Sequence, residues 1–268
     1  MKPDINNALT RILSYKTKEV AALKQTSNLD DLYARAKDQP RPRGFIHALN
    51  ATADGDENAL ICELKRKSPS GGEISPSSDP IKIAREYAQG GASCLSILTD
   101  GPSFGGSLED MQAVINAVDL PVLRKDFMLD PIQIIEARAY SADAVLLIMA
   151  ALSDAQASLL EETAAELGMD VLLEVHTAEE MYRALALKSP LIGINNRDLT
   201  LMTTDLAVSE SLSALIPKGR NFVAESGIKT EQDISRLRQC GARRFLIGEH
   251  LMRAQNRREC VKKMRDAK

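Results

Sequence analysis

The chain has 268 residues, of which 44% are hydrophobic and 26% charged, a composition typical of one large globular domain with a sizeable core. Its 34 basic and 37 acidic side chains give a net charge of -3 and are spread along the chain, so neither nucleic acid nor a membrane surface is indicated as a partner. The apolar runs are too short to cross a membrane and no secretion signal is recognisable, so we expect a cytoplasmic protein.

The chain contains four cysteines and three histidines, the residues that would hold a soft metal ion. The cysteines show no CxxC spacing, and Cys62 and Cys94 lie in strand-like apolar runs. We therefore expect reduced, buried thiols, with neither disulfides nor a zinc site.

The first part of the chain has the pattern of an amphipathic helix followed by a linker. Ile5, Leu9, Ile12 and Leu13 recur at helical spacing. A charged stretch follows, and the segment QPRPRG at 39–44 contains residues that break helices. This pattern divides the chain into an N-terminal helical extension, residues 1–45, and a main unit, residues 46–268, within one structural domain.

From about residue 60 onward, short apolar runs rich in β-branched residues alternate with amphipathic stretches. The runs are LICEL, SCLSIL, PVLRK, AVLLIM, DVLLEVH, LIGIN, NFVAES and RFLIG. Intervening stretches such as SDPIKIAREYAQGG and SDAQASLLEETAAELG open on Ser or Asp and close on Gly, as helices do. The pattern predicts an α/β fold, a closed (β/α)8 TIM barrel. An open doubly wound sheet is the alternative, but no GxGxxG follows the first strand.

The first predicted strand carries charged residues where a core strand would be apolar. Side chains alternate between the two faces of a strand, so if Cys62 and Leu64 face the helices, Glu63 and Lys65 point into the mouth of the barrel. Burying both charges is costly unless they pair with each other or with a polar substrate. A structural ion pair and a substrate site therefore both remain open for these two residues.

Polar residues also end four other predicted strands, where the active sites of such barrels lie. They are Lys125, Glu174, Asn195 and the pair Glu225 and Ser226. Each alone is compatible with a solvated charge at the rim, but their occurrence at several strand ends predicts one common site. Strand alternation selects Asn195 rather than Asn196 to face inward. Neighbouring amines and carboxylates are expected to shift each other's pKa values so that a lysine acts as an acid near neutrality.

The last two units place glycines directly after their strands, Gly227 in ESGI and Gly248 in IGEH. Glycine lets a backbone approach a ligand closely, and the amides of a following helix favour an anion. Because this end of a barrel commonly binds phosphate, we expect a substrate with a phosphate monoester.

The motifs CELKRKSPSGG, LRKDF, LLEVH, GINNRDL, VAESGI and FLIGEHLMR resemble, in order and spacing, those of indole-3-glycerol phosphate synthase. The resemblance covers roughly residues 45 to 255, and the N-terminal helix is similar to the segment that caps the barrel mouth in that family. It implies conversion of 1-(2-carboxyphenylamino)-1-deoxyribulose 5-phosphate to indole-3-glycerol phosphate, with loss of carbon dioxide and water, in tryptophan biosynthesis. It also implies that no cofactor is needed.

The resemblance implies four catalytic residues. Lys125 corresponds to the general acid at the ketone, and Glu174 to the group that stabilises the anilinium and then removes a proton during dehydration. Glu63 resembles the second catalytic carboxylate of the family. Lys65 resembles the lysine that holds a substrate anion, and the acid in dehydration is either Glu63 or Lys65.

The resemblance also implies residues that bind the substrate. Expected substrate-binding residues are Ser68, Asn195, Arg197, the supporting Glu225, and Phe104, Phe127 and Leu199 against the anthranilate ring. Expected phosphate-binding residues are Ser226, Gly227, Gly248 and the amide of Glu249. For the three apolar residues a plain core role remains open. His250 departs from the family, in which a small residue is expected, and either contacts the phosphate or caps a helix in solvent.

Two other functions are compatible with the barrel. A phosphoribosyl isomerase would need an acid and a base spaced along the sugar, and a non-catalytic phosphosugar-binding barrel would be expected to lack Lys65, Lys125 or Glu174. All three are present. The expected partner is the small phosphorylated substrate. A monomer or weak homodimer is expected, and loose association with other tryptophan-pathway enzymes is left open.

Overall fold

The computed structural model describes residues 8–69, 71–198 and 202–268, and its centre is a closed barrel of eight parallel strands. The strands are β1 (Ala59–Leu64), β2 (Cys94–Leu98), β3 (Val122–Lys125), β4 (Ala144–Ile148), β5 (Asp170–Val175), β6 (Leu191–Asn195), β7 (Asn221–Glu225) and β8 (Arg244–Ile247). β1 closes the barrel, because Ile61 is in register with Cys94 of β2 and with Leu246 of β8. The predicted TIM barrel is confirmed.

Helices alternate with these strands and surround them. They are α1 (Ala8–Thr26), α2 (Leu29–Asp38), α3 (Phe45–Asp54), α4 (Pro80–Gly90), α5 (Gly101–Phe104), α6 (Leu108–Ala117), α7 (Pro131–Ala139), α8 (Asp154–Glu166), α9 (Ala178–Leu185), α10 (Ala207–Ser213), α11 (Glu231–Gln239), α12 (Glu249–Arg253) and α13 (Arg257–Asp266). The predicted end signals are confirmed in α4, where Asp79 accepts hydrogen bonds from the first turn and Gly91 follows the helix at φ 93°. No helix in these ranges is both long and apolar enough to span a membrane.

The strand residues divide between two apolar layers, as their alternation predicts. Cys62 and Leu64 pack outward against the helices, whereas Ile61 packs into the barrel interior. Every strand contributes to the interior layer, through Ala59, Ile61, Cys94, Leu123, Ala144, Leu146, Ile148, Leu172, Leu191, Val223 and Leu246. The four cysteines are free thiols, and Cys62 and Cys94 are buried.

The segment before β1 forms three helices, and α1 and α3 lie at opposite ends of the barrel. Phe45 and Leu49 of α3 are fully buried in the interior layer and close the N-terminal end of the strands. Ala8, Leu9 and Ile12 of α1 line the cavity at the other end. The predicted break at 39–44 falls between α2 and α3, and Ile5 lies outside the described residues.

Candidate active site

A cavity of about 700 Å³ opens at the C-terminal ends of the strands. It is lined by Glu63, Lys65, Ser68, Phe104, Lys125, Phe127, Glu174, Asn195, Arg197, Glu225, Ser226, Gly227, Gly248 and Glu249. Of the predicted site residues only Leu199 is missing from this set, because it lies outside the described ranges. The barrel therefore brings together residues that are up to 186 positions apart in the chain, from Glu63 to Glu249.

Lys125 lies at the centre of a group of three buried carboxylates. Its Nζ is 2.8 Å from Glu225 Oε2, 3.2 Å from Glu174 Oε2 and 3.8 Å from Glu63 Oε2. Each carboxylate comes from a different strand, β7, β5 and β1, and Lys125 is the last residue of β3. One ammonium group thus contacts more negative charge than it can neutralise.

Glu63 and Lys65 form the ion pair that strand alternation allows. Lys65 Nζ donates to Glu63 Oε1 at 2.8 Å, and Ser96 Oγ donates to Glu63 Oε2 at 3.4 Å. Both members of the pair also line the cavity. Glu63 and Lys65 therefore pair with each other and also face the cavity. A structural ion pair and a substrate site are thus compatible for these two residues.

The two asparagines of GINN point in different directions. Asn195 Nδ2 donates to Glu174 Oε1 at 3.1 Å. Asn196 Oδ1 instead accepts from the backbone N and Oγ of Ser209, at 2.9 and 2.8 Å, on α10. The prediction that Asn195 faces inward is confirmed, and its side chain fixes the orientation of the Glu174 carboxylate.

The charges in this cluster shift one another's pKa values. Burial alone would lower the pKa of Lys125, but Glu225, Glu174 and Glu63 outweigh it and raise that pKa above its ordinary value. The expectation of a lysine tuned toward neutrality is therefore wrong for this arrangement, because three carboxylates surround a single ammonium group. Burial would raise the pKa of Glu174 and of Glu63, but the lysine charges lower both.

Glu225 differs from the other two carboxylates. Burial raises its pKa above the ordinary range, and the attraction of Lys125 offsets this only in part because Glu174 and Glu63 are close. Its Oε1 has no hydrogen-bond partner. Gly193 makes room for this oxygen, since a Cβ there would lie 2.2 Å from it. Of the three carboxylates, Glu225 is therefore the one most easily protonated.

The segments after β7 and β8 carry the residues predicted to bind phosphate, and these residues line the cavity. Ser226 and Gly227 have φ values of 65° and 82°, in the left-handed region that favours glycine, so the backbone is strained at Ser226. A Cβ on Gly248 would lie 2.5 Å from Glu63 Oε1. Gly248 is thus required by the close approach of Glu63, a reason that the sequence alone did not reveal. Glu249 begins α12, and its carboxylate accepts from Arg253 Nε at 3.0 Å.

Apolar and polar groups complete the walls of the cavity. The rings of Phe104 and Phe127 are 6.3 Å apart between centroids and tilted by 35°, and Phe127 also packs against the interior layer. Ser68 Oγ accepts from the amide of Gly71 at 3.0 Å in a short hairpin. Arg197 Nη1 donates to the carbonyl of Met202 at 3.1 Å. These contacts place the predicted substrate-binding side chains around one space.

His250 lines the same cavity but is not a solvated helix cap. Its Nε2 is 3.3 Å from Cys260 Sγ of α13, and burial lowers its pKa. The ring is therefore half-buried between the cavity and α13.

Lys16 and His176 are among the charged residues near the site that were not predicted. Lys16 of α1 is 3% exposed, and its Nζ is 3.0 Å from Asp100 Oδ2 and 2.9 Å from Asp126 Oδ1. His176 lies two positions after Glu174, beyond the end of β5, with its ring against Glu174. Lys16 shares a helix face with Ile12 and Val20, and His176 has the same strand parity as Glu174. The helical spacing of Lys16 and the strand alternation of His176 could therefore both have been recognised in the sequence.

Within the described ranges, no cluster of three or more His, Cys, Asp or Glu side chains is arranged to hold a metal ion. The side chains that line the cavity instead offer three ammonium groups, five carboxyl groups, the amide of Asn195 and two guanidinium groups. These groups can donate and accept protons and bind an anionic substrate.

Comparison with known proteins gives a consistent family. The family model described as "Indole-3-glycerol phosphate synthase" matches residues 9–264. The protein of that name from Hyphomonas neptunium is 56% identical over 249 residues, which cover 93% of this chain and 94% of the relative. The one from Rhodospirillum rubrum is 51% identical over 250 residues, covering 93% and 95%.

Solved structures with the same fold are more distant in sequence. Tryptophan synthase subunit alpha from Legionella pneumophila has a TM-score of 0.62 at 14% identity, covering 85% of this chain and 98% of that one. Thiamine phosphate pyrophosphorylase from Pyrococcus furiosus has a TM-score of 0.59 at 16% identity, covering 78% and 94%. At these identities the likeness extends to the barrel fold alone.

Proposed function

Because the chain belongs to the indole-3-glycerol phosphate synthase family, with the carboxy-lyase activity of that family, we propose that the cluster around Lys125 carries the reaction. In this reaction 1-(2-carboxyphenylamino)-1-deoxyribulose 5-phosphate closes its ring and loses carbon dioxide and water. Family membership decides against the isomerase and the non-catalytic barrel. The observation that supports the site assignment is the convergence of Lys125 with Glu63, Glu174 and Glu225 at the strand ends.

Lys125 is the proton donor for ring closure in this proposal. The arene carbon that carries the carboxylate attacks the ketone carbon, and the ketone oxygen becomes a hydroxyl as it takes a proton from Nζ. The raised pKa keeps Lys125 protonated before the substrate binds. Loss of carbon dioxide then restores the aromatic ring.

Glu174 is the partner of the developing positive charge on the aniline nitrogen. Its lowered pKa keeps it ionised, so it can stabilise that charge and then accept a proton as water is lost. Asn195 holds the carboxylate in place through the 3.1 Å hydrogen bond to Oε1.

Lys65 is the acid of the dehydration step, and Glu63 is its partner. Burial would raise the pKa of Glu63, but Lys65 and Lys125 outweigh it and lower that pKa, so Glu63 is ionised and has no proton to give. Lys65 Nζ donates to Glu63 at 2.8 Å and can transfer a proton to the leaving hydroxyl. Lys65 also lies where it can hold a substrate anion.

The rest of the cavity binds the substrate in this proposal. Phe104 and Phe127 pack against the anthranilate ring, Arg197 and Ser68 orient the polar part, and Glu225 supports Lys125. The phosphate is bound by Ser226, Gly227, Gly248 and the amide of Glu249. We further propose a cytoplasmic monomer or weak homodimer, divided into a helical extension over 1–45 and a catalytic barrel over 46–268.

The test is the fluorescence of the indole product formed from this substrate, with no metal or nucleotide added. We expect turnover by the wild type and a loss of about 10²–10⁴-fold in Lys125→Ala. Lys24→Ala is the matched control, because Lys24 also pairs with a carboxylate, that of Asp130, but at an exposed site on α1. Absence of turnover by folded wild-type protein contradicts the reaction, and full activity of Lys125→Ala contradicts the assigned acid.

A further inference from the structure

His176 lies between two carboxylates just behind the proposed catalytic group Glu174. Its ring Nδ1 is 3.1 Å from Glu180 Oε2, and its Nε2 is 3.4 Å from Glu174 Oε1. The His176 side chain is 10% exposed, and its Nε2 makes no hydrogen bond of good geometry. A buried ring nitrogen directed at a catalytic carboxylate is in position to influence the charge and the orientation of that carboxylate.

Glu180 is itself held rigidly. It lies in the first turn of α9, where its backbone N donates to the Oγ1 of the N-cap residue Thr177 at 3.2 Å. Its Oε2 also accepts from the backbone N of His176 at 2.8 Å. The carboxylate therefore fixes both the backbone and the ring of His176.

Both oxygens of Glu174 have polar neighbours. Oε2 faces Lys125 Nζ at 3.2 Å. Oε1 accepts from Asn195 Nδ2 at 3.1 Å and faces His176 Nε2. We propose that His176, held by Glu180, is a positioning residue whose charge keeps Glu174 ionised and oriented for proton transfer. This inference rests on the proposed function, because it extends the role given there to Glu174.

The charge of His176 follows from its neighbours. Burial alone would lower its pKa, but Glu174 and Glu180 on either side raise it to about 10. Other charged groups nearby are already paired, Arg183 of α9 with Asp154 and Lys125 of β3 with the carboxylates. The short 3₁₀ turn Met149–Ala151 beside α9 contributes no titratable side chain.

The test compares Glu180→Gln with Glu179→Gln, the neighbouring exposed glutamate in the same helical turn. Both variants remove one negative charge, but only the first removes a contact to His176. The chain has three histidines, so NMR titration of the imidazoles, assigned with His176→Gln, follows this ring directly. We expect the pKa of His176 to fall by about one unit or more in Glu180→Gln and to be unchanged in Glu179→Gln.

Turnover should follow the charge of the ring. The active cationic form exists below the pKa of His176, so lowering that pKa makes kcat decline at a lower pH than in the wild type. Above the lowered pKa we expect kcat of Glu180→Gln to be reduced about tenfold with little change in KM, and Glu179→Gln to match the wild type.

Two results would overturn the proposal. One is a His176 pKa that does not change in Glu180→Gln, and the other is a lowered pKa with a kcat profile identical to that of the wild type. In both cases turnover by the wild type would leave the proposed function intact. Absence of wild-type turnover would instead contradict the proposed function, and this inference with it.

Discussion

At the N-terminal end of the strands the barrel is closed by apolar side chains, whereas at the C-terminal end several buried charges surround one cavity. Phe45 and Leu49 of α3 are completely buried at the first end. The polar backbone there is satisfied, since Asp170 accepts from Ile46 N at 2.9 Å and Asp143 accepts from Val122 N at 2.8 Å. This end has the features of a core built for stability.

The C-terminal end leaves polar atoms without partners. Glu225 Oε1 and His176 Nε2 are buried there without a hydrogen bond. Lys125 meets three carboxylates, a grouping that adds little stability because burying charge is costly. Unsatisfied groups and crowded charges at one end of a barrel mark the end that acts on the substrate.

The largest stability effect that would sharpen this contrast is expected at Lys16. Its replacement by Met leaves Asp100 and Asp126 buried without their ammonium partner, which should cost about 3–5 kcal/mol of unfolding free energy. Thermal unfolding of the variant and the wild type at one pH measures this loss.

Lys24→Met is the control for Lys16. Lys24 lies on the same helix and pairs with Asp130, but its side chain is 53% exposed, so we expect a change of no more than about 1 kcal/mol. Equal losses of stability in the two variants would show that the buried charges near the site behave as ordinary surface pairs.

Gly248→Ala probes how closely the charged end is packed. The added Cβ would lie 2.5 Å from Glu63 Oε1 and 3.0 Å from Lys65 Nζ, so both groups must move. We expect kcat to fall between about tenfold and a hundredfold, with the fold retained. Gly55→Ala, whose added Cβ meets only two backbone oxygens, at 3.4 and 3.9 Å, should leave kcat unchanged. Wild-type kcat in Gly248→Ala would mean that the position of Glu63 does not matter.

The last effect concerns Glu225, whose pKa is raised in the folded state. The folded protein binds this proton more tightly than the unfolded chain does. The free energy of unfolding therefore decreases as the pH rises from about 4.5 to the raised pKa. Relative to the wild type, Glu225→Gln should therefore gain stability over this interval, by roughly 1 kcal/mol for each unit of the pKa shift. Glu210→Gln should show no such gain, because Arg236 lowers the pKa of Glu210. If the difference in Tm between Glu225→Gln and the wild type did not change with pH, the raised pKa of Glu225 would be contradicted.

The sequence predicted the barrel well because its apolar runs are regular and strand alternation is a local property. The inward positions of Glu63 and Asn195 follow from that alternation alone. The role of α3 in closing the N-terminal end was not predicted, because it depends on contacts of Phe45 and Leu49 with the apolar interior of the barrel.

Long-range charge contacts limited the prediction of the site. Lys16 pairs with Asp100 and Asp126 on two different loops, and no local pattern links them. The direction of the Lys125 pKa shift also depends on how many carboxylates converge on it. Strand alternation gives the face of each residue but not the distances between charges from different strands.

The most direct test of the contrast between the two ends is to measure kcat and Tm together for Leu49→Ala and Lys125→Ala. Leu49→Ala should lower the unfolding free energy by about 2–5 kcal/mol and leave kcat unchanged at temperatures where it is folded. Lys125→Ala should lose turnover at a pH and temperature where it is folded. Loss of turnover in folded Leu49→Ala, or turnover retained in Lys125→Ala, would contradict the assignment of stability to one end and chemistry to the other.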